Sequence, residues 1–454
     1  MLGGTLRTTM QRNPQTIDLL VHARWIIPVE PSNTVFDHYA IAIHDGRIVE
    51  LLPSHDAKQK YQADSVYDLD HHALIPGLIN AHTHAAMALF RGLADDLPLM
   101  DWLQNHIWPA ESQWVNSEFV HDGTQLAVAE MIRSGTTCFN DMYFFPDETA
   151  RVADSVGLRA AVGLIVLDFP TIWASNADEY IHKGLEVHDR FRNNPLINTV
   201  FAPHAPYTVS NAPLERLVTL AEELDIPIHM HVHETDHEVS QAQQQTQQRP
   251  LQRLNDLGLV SPRLLAVHMT HLTDEEIAQF AATGAHVVHC PESNLKLASG
   301  FCPVHKLQQA GINVALGTDG AASNNDLDML GELKTAALLA KAVSGEANVL
   351  PAADALRMAT INGAKALGLD NSIGSLEPGK AADIVAIQLN EIATQPVYNA
   401  LSQIVYACTR HQVTDVWVAG RQLLKNRTLT TLDENAVISK AKVWAEKIYA
   451  ADKH

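Results

Sequence analysis

The chain has 454 residues, 46% of them apolar, and its 52 acidic against 32 basic residues give a formal charge of −20. This charge opposes binding to nucleic acid and polyphosphates, and no Lys/Arg cluster offsets it locally. No apolar run is long enough to span a membrane, and the 4 cysteines form no Cys-x-x-Cys pair. We therefore expect a cytoplasmic protein without nucleic-acid or membrane partners, acting on a neutral or zwitterionic small molecule.

Both ends of the chain carry the alternating pattern of half-buried strands. Near the N-terminus, Asp45-Gly46 lies between two apolar runs, which is a strong hairpin signal. Residues 382–387 and 415–418 show the same alternation far downstream. Neither end has enough strands for a core of its own, so we predict that the two ends form one small β-sandwich domain.

The middle of the chain alternates short apolar runs with amphipathic segments of helical spacing, such as 214–224 and 274–282. This alternation predicts an α/β fold, a (β/α)8 TIM barrel inserted into the β-sandwich domain, with functional side chains at the C-terminal ends of the barrel strands. The eight runs that we predict as barrel strands are 78–81, 136–140, 159–167, 198–202, 227–231, 264–267, 286–290 and 313–317.

The predicted domain boundaries follow from these patterns. Residues 12–75 and 372–430 form the discontinuous β-domain, 76–371 form the catalytic barrel, and 431–454 form a C-terminal helix. The polar stretch 1–10 is expected to be a disordered tail or a segment upstream of the native start.

Side chains that bind zinc or transfer protons follow five of the predicted barrel strands. A lone His-x-His pair carries little weight, because the 24 histidines of this chain would give about one by chance. The ordered set is far more specific, and it predicts a mononuclear zinc hydrolase site. Its members are His82 and His84, His204, the run from His229 to Glu234, His268, and Asp319.

The metal ligands are predicted from spacing and flanking residues. His82 and His84 point to the same side of an extended segment, and glycines around Asp319 allow its carboxylate to approach an ion. A third imidazole would complete an open catalytic zinc site. It comes from 229–233, where three alternate histidines share one face and spacing alone does not choose among them. No lysine that could bridge two metals occurs between 198 and 209, which favours one zinc ion per subunit.

Three further residues are candidates for proton transfer or substrate contact. Glu234 lies on the opposite strand face from the histidines, but past the strand end it could turn inward and serve as the proton donor. His268 ends the next strand and could hold the hydroxide or the developing oxyanion. His204, between prolines, is predicted to contact the substrate, with a structural role as the alternative.

With these residues assembled, the chain resembles the amidohydrolase superfamily, within it the mononuclear-zinc deaminases, and most closely the 5′-methylthioadenosine/S-adenosylhomocysteine deaminase family. The resemblance covers nearly the whole chain. It lies in segments such as Pro-Gly-Leu-Ile-Asn-Ala-His-Thr-His and Gly-Thr-Asp-Gly. The segments are 76–84, 91–97, 202–207, 231–235, 267–272, 289–297, 317–320 and 379–385.

The resemblance implies an activity and a set of metal ligands. The reaction would be hydrolytic deamination of an adenine nucleoside at C6 with release of ammonia. One zinc ion would be held by His82, His84, His231 and Asp319.

The resemblance also implies roles for residues around the metal. Glu234 would carry a proton to the purine ring, Asp319 would take one from the attacking water, and both would contact the substrate. His268 would assist at the hydroxide. His204 would contact the nucleoside, and Glu111 would hold the ribose hydroxyls.

One departure from the family narrows the substrate. Family members that take the amino-acid tail of S-adenosylhomocysteine place arginines after the third strand, whereas 160–182 contains neither Arg nor Lys here. It contains Phe169, Ile172 and Trp173 instead, which suit a methylthio group. We therefore expect 5′-methylthioadenosine, or adenosine, in preference to S-adenosylhomocysteine.

Two alternatives remain from the sequence. The same scaffold could hydrolyse a free base or a triazine (guanine, cytosine or a triazine), and Glu111 discriminates because a base-only pocket has no ribose to bind. A non-catalytic assembly protein would lack at least one metal ligand, and none is missing. The zinc signature of the cytidine-deaminase fold is absent. We also expect a homo-oligomer, either a dimer or a tetramer.

Overall fold

The structure, a computed structural model, describes residues 14–451, so the polar stretch 1–10 lies outside the described residues. The described part of the chain begins with four strands. The first three pair in sequence as an antiparallel meander, and many of their side chains are buried. These strands are β1 (Gln15–Ile26), β2 (Phe36–His44), β3 (Arg47–Pro53) and β4 (Tyr61–Pro76).

Eight parallel strands follow, and each overlaps one of the eight apolar runs predicted from sequence. They are almost wholly buried, as expected for parallel strands covered by helices. They are β5 (Leu78–Thr83), β6 (Thr136–Tyr143), β7 (Arg159–Val166), β8 (Ile197–Pro203), β9 (Ile228–Val232), β10 (Leu264–His268), β11 (His286–His289) and β12 (Asn313–Leu316).

These strands pair in chain order from β5 to β12 and curl into a barrel. No strand pairing joins β12 back to β5 within residues 14–451. Instead, the Asp319 amide donates to the His82 carbonyl at 3.0 Å. Beside it, the Asn80 side chain exchanges hydrogen bonds with the Thr318 amide (3.0 Å) and hydroxyl (2.7 Å). The barrel is thus closed by a polar seam next to the strand-end histidines.

The last strands return to the N-terminal sheet. The eight strands form one mixed sheet in the order β16-β15-β14-β13-β4-β1-β2-β3, in which only β1 and β4 run parallel. The strands added here are β13 (Ile384–Gln388), β14 (Val413–Val418), β15 (Arg421–Lys425) and β16 (Thr428–Leu429).

The terminal sheet folds over itself like a sandwich. The turn at Gly46 packs on the turn at Ala419, where a Cβ on Gly46 would lie 2.5 Å from the Ala419 carbonyl oxygen. Only glycine fits there, and its φ of 71° is also one that glycine tolerates. Apolar side chains of both halves, including Ile43 and Trp417, meet in one buried cluster. The predicted barrel and terminal β-sandwich are confirmed, while the domain boundaries stay a prediction.

Helices cover the barrel and the sheet, and none of those described is long and apolar enough to cross a membrane. The predicted helix 214–224 lies in α7, and the predicted helix 274–282 overlaps α10. The helices are α1 (Ser54–Lys60), α2 (Leu99–Trp102), α3 (Trp108–Trp114), α4 (Ser117–Arg133), α5 (Pro146–Val156), α6 (Ala177–Phe191), α7 (Asn211–Leu224), α8 (Asp236–Thr246), α9 (Pro250–Asp256), α10 (Asp274–Ala281), α11 (Pro291–Lys296), α12 (Val304–Gln309), α13 (Met329–Ser344), α14 (Ala352–Met358), α15 (Ile361–Ala366), α16 (Ala400–Tyr406) and α17 (Glu434–Ala451).

A buried ion pair joins the barrel to the terminal segments. Arg159, at the start of β7, donates from Nε to the Asp383 carboxylate at 3.1 Å, and both side chains are under 10% exposed. Arg159 also donates to the Pro195 carbonyl at 3.0 Å. The pair lies at the N-terminal end of the barrel. In this fold, residues at that end contribute to stability, whereas functional residues lie at the C-terminal end.

Replacing Arg159 with alanine is expected to lower the free energy of unfolding by about 3–5 kcal/mol, because it leaves the Asp383 carboxylate buried and unpaired. Urea unfolding measures the change. The matched control is Arg216→Ala, which breaks an ion pair with Asp178 whose side chains are 47% and 87% exposed. That variant should lose at most about 1 kcal/mol. Equal losses in the two variants would contradict the structural role of the buried pair.

Candidate active site

Four predicted ligands converge at the C-terminal end of the barrel. Their ligand atoms, from His82, His84, His231 and Asp319, all lie within 4.8 Å of one another. Asp319 Oδ1 is 3.2 Å from Nε2 of both His82 and His84, and the Nε2 atoms of His82 and His231 are 3.3 Å apart. Ligands bonded to a tetrahedral zinc ion at about 2.0–2.1 Å lie roughly 3.3 Å apart, so the cluster fits such an ion.

The three histidines are oriented by hydrogen bonds at their far nitrogens. Nδ1 of His84 bonds the Met142 carbonyl, and Nδ1 of His231 bonds the His204 carbonyl at 2.7 Å. Nδ1 of His82 bonds His229 Nε2 at 2.8 Å. Partners of this kind fix the tautomer of a metal-binding histidine and leave Nε2 free to face the ion.

Asp319 is held in place by its neighbours. Its Oδ2 accepts hydrogen bonds from the Ser293 and Ser323 hydroxyls at 2.7 and 3.0 Å, which leaves Oδ1 toward the histidines. Burial opposes ionisation of this carboxyl, but His82 and His84 hold its pKa well below the usual range. The residue adopts a φ of 61°, a strained conformation for aspartate that is typical of functional sites.

The structure separates the three histidines that spacing could not distinguish. Only His231 joins the cluster. His229 lies behind His82, and both ring nitrogens of His233 are bonded to backbone: Nδ1 to the His271 carbonyl and Nε2 to the Leu251 amide, each at 3.1 Å. Strand β9 ends at Val232, and the positive φ of His233 breaks the alternation there.

Because of this break, the Glu234 side chain points toward the cluster of four ligand residues. Its Oε2 lies 3.8 Å from Nε2 of His268, whose Nδ1 donates to Asn294 Oδ1 at 2.9 Å. Burial, reinforced by the Asp319 charge, raises the pKa of Glu234 to about 8. The charge of a bound metal opposes that shift. A protonated carboxyl beside the cluster is the arrangement that a general acid requires.

A cavity of about 530 Å³ opens above these residues. Glu111 and His204 line it together with the cluster, so every predicted site residue except the fully buried His82 faces one space. His204 Nδ1 is bonded to the Thr208 hydroxyl at 3.2 Å, and burial raises the pKa of Glu111 to about 7.

Apart from a few hydroxyl groups, the rest of the cavity wall is apolar, and none of the described residues that line it is a lysine or an arginine. Phe169 and Ile172 line the cavity as predicted, whereas Trp173 packs on Tyr180 at 5.6 Å outside the wall. The nearby Lys183 bonds Glu179 at 2.7 Å and the Trp173 carbonyl. Other apolar wall residues are Leu99, Trp102, Ile107 and Leu167.

Sequence reasoning overlooked several polar residues that support the site. Asn80 lies within an otherwise apolar strand, so it was not selected as a site residue. Ser293 and Asn294 follow Pro291 in the segment 289–297, which was used only as evidence of the family. The available signal was a buried amide within a run of apolar residues, because a buried polar side chain needs a specific partner.

Three imidazoles and a carboxylate on the ends of parallel barrel strands define a metal-dependent hydrolase. The chain belongs to the amidohydrolase family, whose sequence profile matches residues 73–423. This confirms the resemblance that the strand-end motifs indicated.

The chain is similar along nearly its whole length to proteins named as deaminases. It is 54% identical over 438 residues to a 5-methylthioadenosine/S-adenosylhomocysteine deaminase of Saccharophagus degradans, covering 96% of this chain and 98% of that protein. The same enzyme of Teredinibacter turnerae is 52% identical, with coverages of 96% and 99%. A crystal structure of an adenosine deaminase from Xanthomonas campestris with bound zinc superposes with a TM-score of 0.95 at 53% identity, covering 96% of this chain and 100% of that one.

Similarity to a triazine hydrolase variant extends to the fold alone. That structure superposes with a TM-score of 0.88 at 22% identity, over 94% of this chain and 99% of that one. For the alternative function, hydrolysis of a free base or a triazine, this comparison therefore supports the fold and says nothing about the substrate.

Proposed function

We propose that the protein deaminates an adenine nucleoside at C6, with 5′-methylthioadenosine as the preferred substrate and 5′-methylthioinosine and ammonia as products. One observation carries the proposal: three of the four clustered ligands, the Glu234 acid and the Glu111 carboxylate line a single cavity whose wall is mostly apolar and has no lysine or arginine among its described residues. A nucleoside presents to such a cavity a reacting ring, a diol and an apolar 5′ substituent.

The metal of the proposal is zinc, one ion per subunit, held by His82, His84, His231 and Asp319. The 3.2–3.3 Å spacing of these donors supports it. When bound, zinc lowers the pKa of water toward 7 and so supplies a nucleophile at neutral pH.

The chain's own residues then move the protons. The Glu234 carboxyl donates a proton to a ring nitrogen of the purine while the oxygen of water forms a bond to C6. Asp319 accepts one proton from that water and returns it to the amino group, so that the C6–N bond breaks and ammonia leaves. The second proton of the water leaves the C6 oxygen as the C6=O bond forms, and it restores the Glu234 carboxyl. His268, whose Nδ1 donates to Asn294, accepts a hydrogen bond from the attacking water at its unprotonated Nε2 and so orients that water. His204 and Glu111 position the nucleoside, Glu111 at the ribose hydroxyls.

The cavity wall supports the preference for the methylthio substrate. S-Adenosylhomocysteine ends in an amino-acid group that carries a carboxylate. The cavity already holds the acidic residues Glu111, Glu234 and Asp319, and none of the described residues that line it is a lysine or an arginine that could pair with this carboxylate. Burying an unpaired carboxylate is unfavourable. The methylthio group is apolar and matches Phe169 and Ile172, which are 42% and 59% exposed in the empty cavity mouth.

Ammonia release should therefore be at least roughly 10-fold faster, in kcat/KM, from 5′-methylthioadenosine than from S-adenosylhomocysteine, since a site rejects a substrate whose polar group it leaves unpaired. A panel that also contains adenosine, guanine and cytosine measures this by ammonia release alongside metal content. Comparable kcat/KM for the two thioether nucleosides would refute the preference, and activity on the free bases alone would favour the alternative function.

A pair of variants sharpens this test. Ile172→Arg places a cation at the cavity mouth and should reduce the discrimination against S-adenosylhomocysteine. Ile172→Gln is the matched neutral control and should leave the discrimination unchanged. If both variants change the ratio equally, charge is not its cause.

The surroundings of the reaction are also inferred. The four cysteines are all buried and free, in keeping with a reducing, cytoplasmic setting. Assembly into a dimer or tetramer is also part of the proposal. Light scattering measures the oligomeric state directly.

A further inference from the structure

Tyr143 carries a buried hydroxyl that is not used by the fold. It is the last residue of β6, lines the cavity and is only 4% exposed. Within residues 14–451 its hydroxyl has no hydrogen-bond partner. Buried hydroxyls are almost always bonded, and the cavity that Tyr143 lines is the space from which a partner can reach this one.

The neighbouring group that can accept this hydrogen bond is the Glu111 carboxyl. Glu111 lies on α3, which follows α2 through a π-helical turn (Leu103–Ile107). Such a turn inserts an extra residue and changes the face on which the following residues lie, and it is frequent at functional sites. Burial raises the pKa of Glu111, and the Tyr143 hydroxyl opposes that shift more than the next group, His84. Both side chains line the same cavity, so the Tyr143 hydroxyl and the Glu111 carboxyl face one space.

On the basis of the proposed function, we infer that Tyr143 is a positioning residue for Glu111: its hydroxyl donates a hydrogen bond to the Glu111 carboxylate in the nucleoside complex and orients it toward the ribose hydroxyls. A carboxylate offers about four lone-pair sites. One occupied by Tyr143 leaves the others to accept the two hydroxyl donors of a ribose. Burial raises the pKa of the Tyr143 hydroxyl well above its usual value, so this group stays a donor throughout the neutral range.

The nucleoside itself supplies the reason for the bond to form on binding. The ribose displaces water from the carboxylate and fixes the side chain that carries it. In the drier complex a hydrogen bond between Tyr143 and Glu111 is stronger than in the open cavity. Tyr143 thus affects the binding of the sugar and leaves the reaction at C6 untouched.

Steady-state kinetics of Tyr143→Phe, Glu111→Gln and the double variant test this inference. Tyr143→Phe should raise KM for 5′-methylthioadenosine about 10-fold, the effect of one hydrogen bond to a charged group, with kcat within about two-fold. In the Glu111→Gln background the same substitution should change KM by less than about two-fold, because coupled residues are not additive. Independent losses that multiply in the double variant would overturn the inference, and so would a Tyr143→Phe enzyme with unchanged KM.

Three further measurements keep the result unambiguous. Metal content and Tm of Tyr143→Phe should match the parent, since the lost hydroxyl is unbonded; a clear fall in Tm would assign Tyr143 to the fold and overturn the inference. The matched control Tyr67→Phe removes a hydroxyl that donates to Gln422 at 2.6 Å in the terminal sheet, and its KM should not change. A parent enzyme that releases no ammonia from any nucleoside would overturn the proposed function itself, whereas an active parent with additive variants overturns only the role of Tyr143.

Discussion

Glu234→Gln is expected to keep its metal and lose at least about 100-fold in turnover, the loss typical of removing a general acid or base. Glutamine has nearly the same shape but transfers no proton. Burial raises the pKa of Glu234 to about 8, which favours the protonated carboxyl from which the purine takes its proton. Glu234 is not among the four clustered ligands, which is why the metal should stay. Ammonia release gives kcat, and atomic absorption gives metal content.

A distant glutamate provides the control for this variant. Glu215 is exposed on α7, and Glu215→Gln should leave both kcat and metal content unchanged. Retained turnover in Glu234→Gln would remove Glu234 from proton transfer. Loss of metal in Glu234→Gln would instead show that its carboxylate helps to hold the ion.

His231→Ala is expected to lose the metal and, with it, essentially all activity. His231 supplies one of the four donors, and its ring is oriented by the His204 carbonyl so that Nε2 faces the cluster. Losing a partner that merely orients a ligand typically costs 10–100-fold in affinity, and losing the ligand itself should cost more than about 100-fold. Metal content after dialysis measures the effect.

The same strand offers a close control. His233→Ala removes an imidazole two residues away whose nitrogens bond the His271 carbonyl and the Leu251 amide. It should lower Tm, because the Leu251 amide loses its acceptor, but retain metal. A His231→Ala protein that stays fully loaded would move the third ligand to a neighbouring histidine such as His229.

The barrel was predictable from sequence because its strands are buried on both faces. Such strands are short apolar runs that need no alternation, and all eight were found. The parallel pairing of β1 with β4 was not predictable, since it depends on a helix and a return of the chain between them. A hairpin turn such as Asp45-Gly46 predicts that the strands on its two sides pair, but local sequence does not show how more distant strands pair.

The site was predictable in its residue types and order, but not in the choice among three histidines. His229, His231 and His233 alternate on one strand face, so a period-two pattern treats them alike. Their partners distinguish them, and those partners come from distant parts of the chain: His82, the His204 carbonyl, the His271 carbonyl. The inward turn of Glu234 depends on a positive φ at His233, a conformation that the residue type does not announce.

The seam between β5 and β12 gives the metal a second role. His82 lies in the first barrel strand, His84 follows it and Asp319 follows the last strand. In the described structure these two strands are joined by side-chain hydrogen bonds rather than by a strand pairing. An ion bound there would fasten the first and last strands of the barrel, whose contacting residues Asn80 and Thr318 lie 238 positions apart in the chain. Loss of the ion should therefore first open the seam between β5 and β12. Backbone amides there should exchange their hydrogens with solvent faster, while the remaining strands stay paired.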